Sequence, residues 1–232
     1  MGEEIMIEYL DGTVFNAPVQ SRVNTVNTVG FMGAGLALEF ALRYPKLLED
    51  YEKKCEQRKM NVGKVDYFDI DDKTKIINFP TKGHFKYPSR ISWIEAGLKN
   101  FLETYEENGV DSVAFPRLGC ANGGLNWVEV KPLMEKYLGS LDIPVYICLD
   151  KLPYAEGVEK EMVDKFNKTD IDIFAKACGL TKKQCELLTD SKPLQRFWHI
   201  SKKSGIGVKT YNRLFNYFYN FQDSYTQLTL FD

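Results

Sequence analysis

The chain has 232 residues, 44% of them hydrophobic and 27% charged, which is enough for one sizeable core and a smaller second unit. Its formal net charge of -2 points to neither a nucleic-acid coat nor a membrane-surface protein, so any basic face must be local. Cys55, Cys120, Cys148, Cys178 and Cys185 are odd in number and form no C-x-x-C pair, which argues against a disulfide framework and against a zinc knuckle. No cluster of His, Cys and carboxylates has ligand spacing, so neither a metal nor another cofactor is expected. The amino terminus has Glu3 and Glu4 where a signal peptide would carry basic residues, and no apolar run reaches membrane length. A soluble cytoplasmic protein is expected.

In chain order, Ile5 to Tyr9 and Ser21 to Val26 read as strands, and Ala34 to Tyr44 reads as a helix opened by glycines and closed before Pro45. Lys64 to Asp69 and Lys75 to Phe79 are the next strands, with Lys64, Lys73 and Lys75 as solvated ends. A long helix is predicted from Ser89 to Gly109, with Ile91, Ile94, Leu98, Phe101 and Leu102 at helical spacing and Ser89 and Arg90 as its solvated start. Ser112 to Pro116, a helix over Trp127 to Leu138, and the strand Val145 to Leu149 complete the alternation. This order predicts an α/β fold with a mainly parallel central sheet and helices on both faces. Beyond residue 157 no strand pattern remains, and Lys160 to Phe166, Ile171 to Cys178, Thr181 to Leu188 and Leu194 to Ser204 read as short helices. The expected domains are therefore 1–152, a helical unit over 153–222, and a flexible tail over 223–232.

Chemistry concentrates at two glycine-rich stretches, Gly30-Phe31-Met32-Gly33-Ala34-Gly35 and Leu118-Gly119-Cys120-Ala121-Asn122-Gly123-Gly124-Leu125, with Thr81 and Lys82 between them. Both lie where strands lead into helices, the edge at which parallel sheets bind ligands. Glycines there let backbone N–H groups approach phosphate oxygens, so the pattern suggests a diphosphate beside an amine. The plainer alternative is that each glycine only relieves strain at its own junction.

Val23-Asn24-Thr25-Val26-Asn27 before the first loop, Asn78-Phe79-Pro80-Thr81-Lys82, and Gly119 through Trp127 together resemble the DarG-type macrodomains over roughly residues 1 to 150. The resemblance implies a three-layer α/β/α macrodomain with a mixed, mainly parallel sheet. It also implies a DNA ADP-ribosyl glycohydrolase that reverses the work of a DarT-type toxin, with ADP-ribose as ligand and product. Asn27 matches the asparagine near the distal ribose, residues 30 to 36 the loop beneath the diphosphate, and residues 119 to 125 the loop that closes over the phosphates. Lys82 matches the catalytic lysine, and His84 a histidine two residues on that positions the leaving base or shuttles a proton. A desolvated lysine can attack the anomeric carbon of an N-glycoside, protonate the departing base, or orient it, and the residues alone leave these open. Many macrodomains bind the adenine amino group through a Gly-Asp pair, where this chain has Gly12-Thr13. A protein-directed relative carries an aspartate where this chain has Gly123, so the glycine favours a nucleobase linkage. A protein ADP-ribose hydrolase and a non-catalytic ADP-ribose reader are the alternatives.

In DarG proteins the carboxy-terminal domain contacts the toxin. Here Ile200 to Phe215 resembles a helix-turn-helix, with Gly205 at the turn and Val208 to Tyr217 as second helix. Lys202, Lys203, Lys209 and Arg213 are its candidate DNA or partner contacts. The aromatic run from Tyr211 to Phe221 is expected to be core. Gln227, Leu228, Leu230 and Phe231 near the end resemble the peptide by which bacterial polymerases and repair proteins bind the sliding clamp.

Overall fold

A computed structural model describes residues 7–220, and these divide after Lys151 into two compact units. In the first, six strands form one sheet in the order β1(Ile7–Leu10), β6(Val145–Cys148), β5(Val113–Pro116), β2(Ser21–Asn27), β4(Thr74–Lys82), β3(Asp66–Asp71). Every neighbouring pair is parallel except the β3–β4 hairpin. The sheet is thus mixed and mainly parallel, as expected.

Side chains alternate across this sheet with the period of two that strands impose. Ile77 faces a core with Phe79, Phe101 and Phe115, while its neighbour Ile76 faces a second core with Phe40 and Leu47. The first core also takes residues of α3(Ile91–Thr104) and α4(Trp127–Leu138). The second takes residues of α1(Gly35–Arg43) and α2(Pro45–Glu56), which completes the three layers.

Three local expectations need correction. The sequence pattern closed α1 before Pro45 and assigned nothing after it, yet Pro45 opens α2. Proline is suited to the first helical position, where its missing N–H has no partner to lose, and α2 buries Leu47 and Tyr51 one turn apart. Strand β4 runs past Phe79 to Lys82, where it still pairs with β2, and Pro80 is tolerated because β3 pairs only as far as Asn78. Ser89, expected in solvent, is buried, and the helix starts at Ile91.

The second unit holds α5(Gly157–Lys168), α6(Ile171–Ala175), α7(Lys182–Thr189), a 3-10 helix Phe197–Lys202, and α8(Val208–Asn220). Its core is aromatic: Phe218 lies 5.0 Å from Phe174 and 5.6 Å from Phe166 between ring centroids. Helix α8 buries Tyr211, Leu214, Phe215 and Phe218 on one face, so most of the aromatic run packs inward. Thr181 and Gln184 form a reciprocal capping box at the start of α7. The element before Gly205 is not the predicted α-helix over 194–204 but six residues of 3-10 helix. Phe197 and Ile200, three apart, are both buried, and the 3-10 winding puts such pairs on one line. The helix-turn-helix reading thus loses its first α-helix. Among the described residues no helix is long and apolar enough to cross a membrane. Gln227, Leu228, Leu230 and Phe231 lie outside the described residues.

Candidate active site

Strand order creates the site. Strands β5, β2 and β4 are neighbours, so the segments leaving their carboxyl ends, 117–126, 28–34 and 83–90, lie side by side although the sequence separates them. Asn27 and Lys82 are register partners at that edge.

Asn27 is buried, and its amide organises the first loop. Its Oδ1 accepts from Val29 N at 3.0 Å and Phe31 N at 3.4 Å, and its Nδ2 donates to Phe31 O at 2.6 Å. The Tyr51 hydroxyl lies 2.8 Å from Asn27 O and 3.1 Å from Asn27 Oδ1. Asn27 therefore holds the loop, and its second amide hydrogen has no acceptor among the described residues. Met32 is buried, while Gly30 and Gly33 are half-exposed and Phe31, Ala34 and Gly35 line the open side. The Thr28 hydroxyl donates to Gly83 O at 2.7 Å and fastens this loop to the one after β4.

Asn122 is the meeting point of the two glycine loops. Gly35 stands at φ +58°, and a Cβ there would come within 2.8 Å of Asn122 Nδ2. The left-handed backbone there favours glycine, and a side chain would also have to displace the Asn122 amide. Lys82 Nζ donates to Asn122 O in a short contact and lies 3.4 Å from Phe85 O. Partial burial lowers the Lys82 pKa below the ordinary lysine value. Its recorded partners are neutral carbonyls, and no ion pair with a carboxylate forms among the described residues. Thr81, directly before it, is buried in the strand.

The second loop is stitched by Leu125 N to Gly119 O at 3.0 Å, Gly124 N to Ala121 O at 3.2 Å, and Ser89 N to Gly123 O at 2.9 Å. Leu118 anchors it in the core. A Cβ on Gly123 would lie 2.2 Å from Gly119 O and 2.5 Å from Ser89 Oγ. Glycine is thus required by backbone packing, and the lack of an acid there no longer argues by itself for one type of adduct. Ser89 Oγ is buried without a hydrogen-bond partner among the described residues. Burial raises the Cys120 thiol pKa, and its Sγ lies 3.4 Å from Leu118 O, which suits a cradle residue better than a nucleophile.

His84 does not hydrogen-bond Lys82. Its Nδ1 accepts from Lys86 N at 3.2 Å, and its ring stacks on Phe85 at 4.3 Å and lies 5.5 Å from Tyr87. Phe85 in turn lies 4.6 Å from Phe31, so a row of exposed rings flanks the amine. Sequence reasoning missed Tyr51, Thr28, Phe85 and Ser89. No local pattern marks them, because each acts through a partner distant in sequence or through its backbone carbonyl. Thr13 follows β1, half-buried, in a turn whose Gly12 and Asp11 carbonyls accept from Asp150 and Lys151 after β6. A hollow of about 530 Å³ lined by Gln20, Arg22, Asp72, Lys73 and Asp111 lies at the other end of β2 and β4 and involves none of these residues. No group of three or more metal-ligating side chains occurs among the described residues.

The three-layer α/β/α unit with glycine loops at the carboxyl edge of a mainly parallel sheet is the architecture of a macrodomain among other doubly wound folds, and residues 23–134 match the Macro domain family. The chain belongs to that family. Its macrodomain is related to those of DarG proteins. It is 39% identical to the macrodomain of Thermus aquaticus DarG, with a TM-score of 0.59 over 62% of this chain and 98% of that one. Thermosipho africanus DarTG in complex with ADP-ribose is 36% identical, with a TM-score of 0.58 over 61% of this chain and 40% of that one. The Thermus aquaticus DNA ADP-ribosyl glycohydrolase is 41% identical over 140 residues, 59% of this chain and 39% of that protein. The chain thus spans about two fifths of that relative's length.

Proposed function

We propose that the macrodomain removes ADP-ribose from nucleobases of DNA, reversing modification by a DarT-type toxin. The observation that carries this reading is Lys82: a partly buried amine of lowered pKa, held on Asn122 O where the two glycine loops meet. The glycine loops offer backbone N–H groups to the diphosphate, and Asn27 keeps the first of them in shape. The relatives named as DNA ADP-ribosyl glycohydrolase and as DarTG support DNA as substrate and a toxin as counterpart.

In this reading the neutral Lys82 amine attacks the anomeric carbon of the N-glycoside. The carbon–nitrogen bond to the base breaks, and the base nitrogen takes up a proton. One amine proton balances that taken by the base nitrogen, and the other passes to the ring oxygen as the ribose opens to a Schiff base on Nζ. One water then adds, releasing ADP-ribose and restoring the amine. The net reaction consumes one water and leaves the base with hydrogen where the sugar stood. His84, turned into the ring row with Nδ1 engaged, positions the leaving base rather than relaying a proton to Lys82.

The test is incubation with oligonucleotides ADP-ribosylated on thymine or guanine, beside a protein ADP-ribosylated on glutamate, with borohydride added in parallel. Release from DNA with a trapped adduct on Lys82 is expected. Release from the protein alone would transfer the reading to the protein hydrolase, and binding without release from either would make the site a reader.

A further inference from the structure

The first turns of α7 and α8 are tied together by one side chain. Gln184, already part of the α7 capping box, donates from Nε2 to Gly205 O at 3.0 Å and lies 3.5 Å from Thr210 Oγ1. Arg213 Nη2 reaches Gly179 O at 3.5 Å and Thr210 Oγ1 at 3.4 Å, so the turn before α7 also rests on α8. Around this junction stand Lys182 and Lys183 at the start of α7, Lys202 and Lys203 leading into the Gly205 turn, and Lys209 beside Thr210. All but Lys203 are exposed, and Lys203 is half-exposed.

Two other cations of the unit are placed differently. Arg196 is buried against Glu159, with Nε at 3.0 Å from Oε2, and Lys192 lies over the Phe166 ring at 5.2 Å. Those cations hold the unit together. By contrast, none of Lys182, Lys183, Lys202, Lys203, Lys209 and Arg213 forms an ion pair among the described residues. Between Lys176 and Arg213 the only acids are Glu186 and Asp190. Like charges gathered without counter-ions repel one another and destabilise the fold, which fits a surface adapted to an external anion.

We propose that this array docks the phosphodiester backbone of a nucleic-acid strand. Charge complementarity selects the occupant: a duplex presents about one negative charge per 1.7 Å of its axis, a density that a cluster of lysines matches. Protein interfaces, by contrast, are depleted of lysine and built on aromatic anchors. The large apolar residue exposed at this junction is Val208. Identifying the strand as DNA rests on the function proposed for the macrodomain, whereas the phosphodiester contact does not.

The experiment is fluorescence anisotropy of the full chain with unmodified 20-mer DNA, single-stranded and duplex, between about 50 and 200 mM salt. A Lys182→Ala/Lys183→Ala/Lys209→Ala variant is compared, its fold checked by thermal melting. Wild type should bind with a steep salt dependence. The variant should bind at least tenfold more weakly, with a log–log salt slope shallower by about 2 to 3. Equal binding and slope for a correctly folded variant would overturn the proposal. So would failure of wild type to bind either strand, with or without capture of an acidic protein instead. Unmodified DNA carries no ADP-ribose, so failure here is distinct from failure of the macrodomain to release it.

Discussion

The two units hold positive charge in opposite ways. At the macrodomain edge the Lys82 amine is held on neutral carbonyls. In the helical unit the cations outside the core are numerous and exposed. A single partly desolvated amine has a shifted pKa and can do covalent chemistry, whereas exposed lysines act on a polyanion from outside. One arrangement suits a reaction and the other suits docking.

The comparison breaks most sharply at Lys82. Lys82→Ala should lower release of ADP-ribose from modified DNA by roughly 100- to 10,000-fold, read as single-turnover rate with saturating enzyme. Because burial favours the neutral amine, the wild-type rate should rise with pH and level off below the ordinary lysine value near 10.4. A rate that falls over that range would assign Lys82 as the acid.

Glu159→Ala tests whether the helical unit stands on its buried cation while the cleft stands without it. It leaves Arg196 buried without the carboxylate that now accepts from its Nε and from Phe197 N at 2.8 Å. A loss of about 3–5 kcal/mol in denaturant unfolding of the helical unit is expected, with ADP-ribose binding by calorimetry retained. Loss of both would show the units to be energetically coupled.

Gly123→Ala sharpens the reading of the second loop. The added methyl meets the Gly119 carbonyl and Ser89, so a destabilisation of about 1–3 kcal/mol in thermal unfolding and weaker ADP-ribose binding are expected. Wild-type behaviour would mean that the loop can open at no cost. The smallest effect is expected at Thr181→Ala, which removes half of the α7 capping box and should destabilise the helical unit by about 1 kcal/mol.

Legibility followed the range of the interactions. Helix α4, the strand at Ser21 and the glycine loops were readable because caps, alternation and turn chemistry are local. Helix α2 is not legible from the sequence because Pro45, which marks the end of α1, also opens α2. The helix expected over 194–204 is a 3-10 segment in which Phe197 and Ile200, three residues apart, are both buried. At the site, Lys82 and the loops stood out as residue types, while Tyr51 and Ser89 carried no mark, being an ordinary core aromatic and a residue expected in solvent.

By itself the sequence determined the α/β class, the helical second unit, the lysine and the two glycine loops, since periodicity and glycine spacing are properties of adjacent residues. Tertiary structure alone decided that β5, β2 and β4 are neighbours, which brings Asn122 onto both Gly35 and Lys82. It alone also decided that Gly123 is a packing requirement, and that Lys182, Lys183, Lys202, Lys203, Lys209 and Arg213 form no ion pair among the described residues. The physical reason is the same in each case: strand order, steric exclusion and ion pairing are set by contacts between residues far apart in the chain.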